Sequence, residues 1–221
     1  MNSRRVVRFA GIFDKQLPIA RHVIISPTNT DHVFEAVLAR DTLIHVIDNL
    51  AQPVAERAAW QFMQGLSGDS AAMTLASINP PMVLGVNKQQ LNGSAMNLNQ
   101  SSLIVYNLLS GNAKEVMPGS VGFTDVADVA KAHILAAQNP NAAGQRYLCS
   151  GTSATWAAVA DILRRLYPSM PIPHNTHSAE QPCLDLANNK IRAELGMQFE
   201  PLDVTLKRQG DALISAGLLE G

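Results

Sequence analysis

Apolar residues in this chain fall into two alternating kinds of run. Arg21–Ser26 (RHVIIS), Met73–Gly85 (MTLASINPPMVLG), Val121–Val126 and Arg146–Ser150 (RYLCS) are short and continuous, the pattern of buried strands. Between them the apolar positions recur every three or four residues. Pro53 suits the first turn of a helix that reaches Leu66, with Val54, Ala58, Phe62 and Leu66 on one face and Ala55, Ala59 and Met63 beside them. A second helix starts near Ser101, with Leu103, Ile104, Leu108 and Leu109 inward and Gly111 as its stop. A third spans Asp125–Gln138, where Asp125 and Asp128 suit the positive end of the helix dipole. Ser153–Tyr167, Ala187–Leu195 and Asp203–Leu213 complete the helices.

Strands alternating with amphipathic helices predict an α/β fold built on parallel strands. Asn79-Pro80-Pro81 interrupts the Met73–Gly85 run, because proline cannot donate to a central ladder. Val23–Ser26 and Leu75–Ile78 are expected as parallel members of one sheet. There is no internal repeat, low-complexity tail or clear linker.

Charge refines this picture. The 221 residues hold 17 Lys and Arg against 18 Asp and Glu, and only 16% are charged, which argues against a DNA binder held by phosphate contacts. From Ser70 to Ala113, Lys88 is the single charge, and Asn87–Asn107 is rich in Asn and Gln. Such a stretch lines a neutral cleft or faces a partner; the alternative is an ordinary buried strand and a neutral loop. The first 22 residues carry Arg4, Arg5, Arg8, Lys15 and Arg21 against Asp14 alone. This is the composition of a mitochondrial transit segment or of a basic first strand, which leaves a mitochondrial and a cytoplasmic location both open. No apolar run is long enough to span a membrane as a helix. Cys149 and Cys183 stand in no metal or disulfide pattern, and His174 with His177 lacks a third ligand.

Five segments in order change the picture: AERAAWQF (55–62), INPPMVLG (78–85), FTDVADVAKAH (123–133), GQRYLCSG (144–151) and NNKIRAELG (188–196). Their succession resembles the extended short-chain dehydrogenase/reductases, in the dihydroflavonol and cinnamoyl-CoA reductase branch of the NAD-dependent epimerase/dehydratases. The resemblance runs from about residue 21 to 217. It implies an incomplete Rossmann-like parallel sheet with helices on both faces and a smaller C-terminal substrate-type subdomain. The corresponding divisions are a basic arm (1–22), a partial Rossmann-like half (23–85) and a substrate-type half interleaved with the last strands (86–221). On this alignment the family's first βα units, on the order of 100 residues, have no counterpart here.

The resemblance also places the family's functional positions. No GxGxxG or GxxGxxG occurs, and GLSGDSA at Gly65–Ala71 follows a helix instead of preceding one. No Tyr-x-x-x-Lys occurs either. The alignment puts Asp48 at the Tyr position, Gln52 at the Lys position and Pro27 at the catalytic Ser, with Ser26 just before it. Asp cannot serve as a phenolic donor, and Gln carries no charge to tune one. What remains is a substrate-side half. Asn79, Pro80, Pro81 and Val83 resemble the turn that lies against a nicotinamide, and Ser26 is a weaker candidate contact.

Two functions follow from the resemblance. One is a non-catalytic, reductase-like scaffold or complex subunit that binds no dinucleotide tightly. It would meet another protein chain through residues 1–50, and RNA only through its basic arm. The other is an NAD(P)H-dependent reductase of a small carbonyl compound, with atypical catalytic residues or as part of a longer or paired chain.

Overall fold

The prolines of the Asn79-Pro80-Pro81 turn split one apolar run between two sheets. The computed structural model describes residues 7–8, 22–26, 55–66, 74–86, 94–174, 183 and 185–219. Strands β1 (Val7–Arg8), β2 (His22–Ser26), β3 (Thr74–Asn79) and β6 (Arg146–Leu148) form one sheet in the order β1-β2-β3-β6. Strands β4 (Met82–Leu84), β5 (Ser120–Asp125) and β7 (Thr152–Thr155) form a second, in the order β4-β5-β7. Pro80 and Pro81 have no N–H to give, so the chain leaves the first ladder after Asn79 and enters the second at Met82. The pairs β3–β6 and β4–β5 are parallel.

Helices cover both faces of the first sheet, as expected of a Rossmann-like layer. Alternate residues of β3 point opposite ways. Leu75 meets Ala59, Trp60, Met63 and Leu66 of helix α1 (55–64) and the turn after it. Ala76 and Ile78 meet Val129 and Ala132 of α3 (Val126–Gln138) and Ile191 and Leu195 of α5 (Asn189–Leu195). The second sheet packs on α2 (Gln100–Leu109), α4 (Trp156–Leu166) and α6 (Leu202–Ser215), around Val105, Leu109, Phe123, Trp156, Leu163 and Leu206. The Phe123 and Trp156 rings meet edge to face at 5.4 Å, a preferred aromatic geometry.

Three expectations are corrected. First, β2 runs antiparallel to β3, with Val23 opposite Ser77 and Ile25 opposite Leu75. An apolar run such as Val-Ile-Ile has no polarity, so it specifies burial but not direction. Second, α1 turns Ala58 and Phe62 to solvent and presents Glu56, Ala59, Trp60 and Met63 to the sheet. The anchor at Glu56, described below, selects this face over the alanine and phenylalanine stripe. Third, Thr152–Thr155 is a strand paired with β5, where the helix was expected from Ser153. Thr155 caps α4 by accepting the Ala158 N–H at 3.1 Å, and the preceding threonine and serine suit an extended edge equally well.

Gly210 on α6 lies under the Tyr167 ring, whose hydroxyl donates to the Lys207 carbonyl and the Asp211 carboxylate. A Cβ at Gly210 would stand 2.6 Å from Tyr167 Cζ. Gly210→Ala is therefore expected to destabilise the chain by about 1–3 kcal/mol through overpacking, despite alanine's better helix propensity. Urea unfolding checks this; an alanine variant as stable as the parent would show that the ring yields freely.

Candidate functional site

Glu56 lies in the first turn of α1 and is 8% exposed, an unusual place for a carboxylate. It survives there because it is partnered. The Ser77 hydroxyl donates to its Oε1 at 2.9 Å, and Arg146 Nε donates to the same oxygen at 2.8 Å. The Trp60 indole, one turn along, adds a further donor. Burial pushes this carboxyl up, but the hydrogen bonds and the Arg146 charge outweigh it and hold the group below its ordinary value of 4.5. One side chain thus ties α1 to both parallel strands of the first sheet.

The same contact fixes the end of β3. A carboxylate only accepts, so the Ser77 proton points at Glu56 and the hydroxyl's lone pairs face away. One of them accepts the Asn79 Nδ2–H at 3.0 Å, and the Tyr147 carbonyl accepts from the same nitrogen at 3.5 Å. Both partners need a donor, which orients the Asn79 amide. Its Oδ1 is buried and has no hydrogen-bond partner. The Asn79 carbonyl accepts the Cys149 N–H at 3.0 Å, extending the β3–β6 pairing by one bond.

Pro80 is buried and Pro81 half-buried. Gly122 on β5 makes room for the turn: a Cβ there would stand 3.0 Å from Pro81 Cγ and would also strike Leu186. Leu186 and Pro81 therefore pack over the same point of β5. Val83 continues the turn into β4 opposite Thr124. At the far end of β4, Gly85 donates its N–H to Gln209 Oε1 at 3.2 Å and holds φ at 125°, a conformation open to glycine. Asn79 ends β3 and Gly85 follows β4, the C-terminal ends of two strands with parallel partners, and open α/β sheets bind their ligands at such ends.

The structure brings Asn79, Pro80, Pro81 and Val83 together but leaves Ser26 elsewhere. Because β2 is antiparallel, Ser26 pairs with Thr74, at the opposite end of β3 from Asn79. Five residues of strand span roughly 17 Å, so Ser26 is corrected out of this cluster. Pro27, Asp48, Gln52 and His177 lie outside the described residues. His174 is exposed. Cys149 is buried, which pushes its thiol up to about 12, and Cys183 is exposed. Asp125 and Asp128 are structural. Asp125 caps α3 through the Ala127 N–H and accepts the Thr205 hydroxyl, and Asp128 accepts the Glu200 N–H at 2.8 Å. The sequence reading gives no role to Glu56, Ser77 or Arg146, although Glu56 and Arg146 fall within the segments AERAAWQF and GQRYLCSG. A further signal is the charge on the otherwise apolar stripe of positions 56, 59, 60 and 63.

No family model matches the chain. Cinnamoyl-CoA reductase CAD2 of Medicago truncatula is 33% identical over 177 residues, 79% of this chain and 49% of that protein. The NADPH-dependent methylglyoxal reductase GRE2 of Saccharomyces cerevisiae is 33% identical over 165 residues, 69% of this chain and 46% of that protein. The crystal structure of Gre2 from Candida albicans in complex with NADPH aligns with a TM-score of 0.66 at 28% identity, covering 80% of this chain and 54% of that one. The chain belongs to the extended short-chain dehydrogenase/reductases. It spans about half the length of the curated relatives it matches. Two of the solved relatives, the Candida Gre2 structure and a yeast Gre2 structure 32% identical to this chain, are NADPH complexes, which favours the NAD(P) alternative over the expectation that no dinucleotide binds tightly. No helix of the described residues is long and apolar enough to cross a membrane.

The Glu56 node makes a signed pH prediction. Its folded pKa lies below the unfolded value, so its stabilisation is complete above the ordinary 4.5 and is lost as pH falls through the folded value. Glu56→Gln should cost about 1–2 kcal/mol at pH 7 and progressively less as pH falls below the ordinary 4.5 and the parent carboxyl takes up its proton. Denaturant unfolding over a series of pH values measures this, and a gap that does not shrink with falling pH would contradict it.

Proposed function

We infer that this chain provides the nicotinamide and substrate side of an NAD(P)H-dependent reductase acting on a small carbonyl compound. The observation that carries the reading is the turn at the strand ends. There a buried, oriented Asn79 is followed by Pro80-Pro81, in a chain whose relatives include two reductases solved with NADPH. The nicotinamide supplies the hydride when bound. The residues that would hold it are Asn79, the backbone of Pro80 and Pro81, and Val83. The uncharged stretch beyond Gly85 suits a neutral substrate better than an anionic one, since Lys88 alone could answer a negative charge there.

The described residues fit the nicotinamide end of a dinucleotide. For the pyrophosphate end, the sequence holds no glycine-rich turn. With no Tyr-x-x-x-Lys, the reading has the chain work with atypical catalytic residues or together with a further stretch of polypeptide. The scaffold reading has no observation in its favour: neither the fold nor the relatives point to it.

The test is an NMR titration of the isolated chain with NADPH. Weak binding is expected, with Kd about 0.1–1 mM, because only part of the dinucleotide finds a surface. The amides of Asn79, Val83 and Leu148 should shift, and those of α6 beyond Gly210 should not. No shift at several millimolar NADPH would overturn the reading.

A further inference from the structure

One buried amide of the substrate-type half keeps a donor without a partner among the described residues, and its orientation is fixed. Gln209 on α6 is 1% exposed. Its Oε1 accepts the Gly85 N–H at 3.2 Å, at the far end of β4 from the proline turn, and its Nε2 meets no acceptor among the described residues. Turning the amide over would set the Nε2 hydrogens against the Gly85 N–H, donor against donor, so the backbone decides which way it points. One turn to either side of Gln209 along α6, Leu206 and Leu213 are buried in the core of the second sheet. A fixed amide donor on an apolar wall is the composition of a ligand contact, and native folds rarely bury such a donor unpaired.

We propose that Gln209 is a specificity residue for the substrate: its Nε2 donates to a neutral acceptor oxygen, a ketone, ether or hydroxyl, that the substrate carries apart from the carbonyl being reduced. An acceptor is required because the free end of the amide only donates. Charge narrows it to a neutral one. The Asp125 carboxylate lies beside the Gly85–Gln209 bond, its Oδ1 3.4 Å from where a Gly85 Cβ would stand. Arg208, the guanidinium next to that carboxylate, is drawn to Glu200 at 2.5 Å and stays 3.9 Å from Asp125. An anion there would meet the Asp125 charge. The three residues of β4 separate Gln209 from the proline turn by roughly 10 Å, so the oxygen it takes belongs to the distal end of the substrate. A buried donor that only the right substrate satisfies rejects an analogue lacking that oxygen more sharply than apolar contact does. This rests on the reductase reading and adds to it the chemistry of the substrate's far end.

The probe is 4-methyl-2-pentanone, a neutral ketone with one acceptor oxygen, titrated by NMR into the full chain and into Gln209→Met. Methionine keeps the length of the side chain and removes the amide. The parent is expected to bind the ketone about fivefold more tightly than Gln209→Met, the worth of one neutral hydrogen bond. A second readout needs no variant. In the parent, the Gln209 side-chain 15Nε2 and 1Hε2 resonances and the Gly85 amide should move with the ketone and saturate, and should stay in place with NADPH. Isovalerate, of similar shape but negatively charged, should leave them in place as well. Equal affinities, a ketone that saturates without moving the Gln209 resonances, or a movement as large with isovalerate would overturn the proposal while sparing the reductase reading, which the NADPH titration decides. Absence of any saturable ketone binding would overturn the proposal on the same terms.

Discussion

A single carboxylate in a low-dielectric position governs the arrangement of the first sheet. Burial raises the cost of a charged Glu56, so its place under the sheet depends on its donors: Trp60 on its own helix, and Ser77 and Arg146 on the sheet. Those two residues belong to different strands, β3 and β6. Satisfying one charge therefore sets the rotation of α1 about its axis, the face of β3 it covers, and the register between the parallel strands. The apolar contacts of Leu75 with Ala59, Trp60 and Met63 follow from that choice, because hydrophobic burial is not directional and accepts any face of adequate area. The two effects divide the labour. Apolar burial holds α1 on the sheet, and the Glu56 node decides how it sits.

The same node reaches the candidate site through proton direction. An acceptor-only group at one end forces each hydroxyl and amide along the line to point one way, and the line ends at the last residue of β3. Pro80 then breaks the ladder, and the chain crosses to the second sheet, where Pro81 and Leu186 pack over Gly122. Strand ending, sheet splitting and the oriented amide are thus consequences of one short sequence, S-I-N-P-P, read against one buried glutamate.

Much of this layout was legible in the residues. The helices at 100–109, 126–138 and 202–215 lie where the apolar spacing put them, and Asp125 caps the second as expected. The proline break at Asn79 was readable because proline's missing N–H is a local fact. Three features were not legible, each for a physical reason. The direction of β2 is absent from a run as symmetric as Val-Ile-Ile. The face of α1 was misjudged because alanine and phenylalanine spacing was weighed above a lone charge, whereas that charge has the stricter requirement. The orphaned oxygen of Asn79 depends on the Tyr147 carbonyl, 68 positions away in sequence, and no local pattern encodes such a meeting. The resemblance of five ordered segments found the family and its substrate-side turn, but it could not find the node that holds that turn.

The central claim is that Glu56 and Ser77 act as one unit, and a double-mutant cycle on unfolding free energy tests it most directly. Glu56→Gln, Ser77→Ala and the double variant are unfolded in urea at pH 7. If the hydroxyl proton is committed to the carboxylate, the two substitutions should couple by about 1–2 kcal/mol, within the range of buried hydrogen-bonded pairs. Additivity to within about 0.3 kcal/mol would show that the two groups contribute independently, and that Glu56 does not set the arrangement of α1, β3 and the end of the strand.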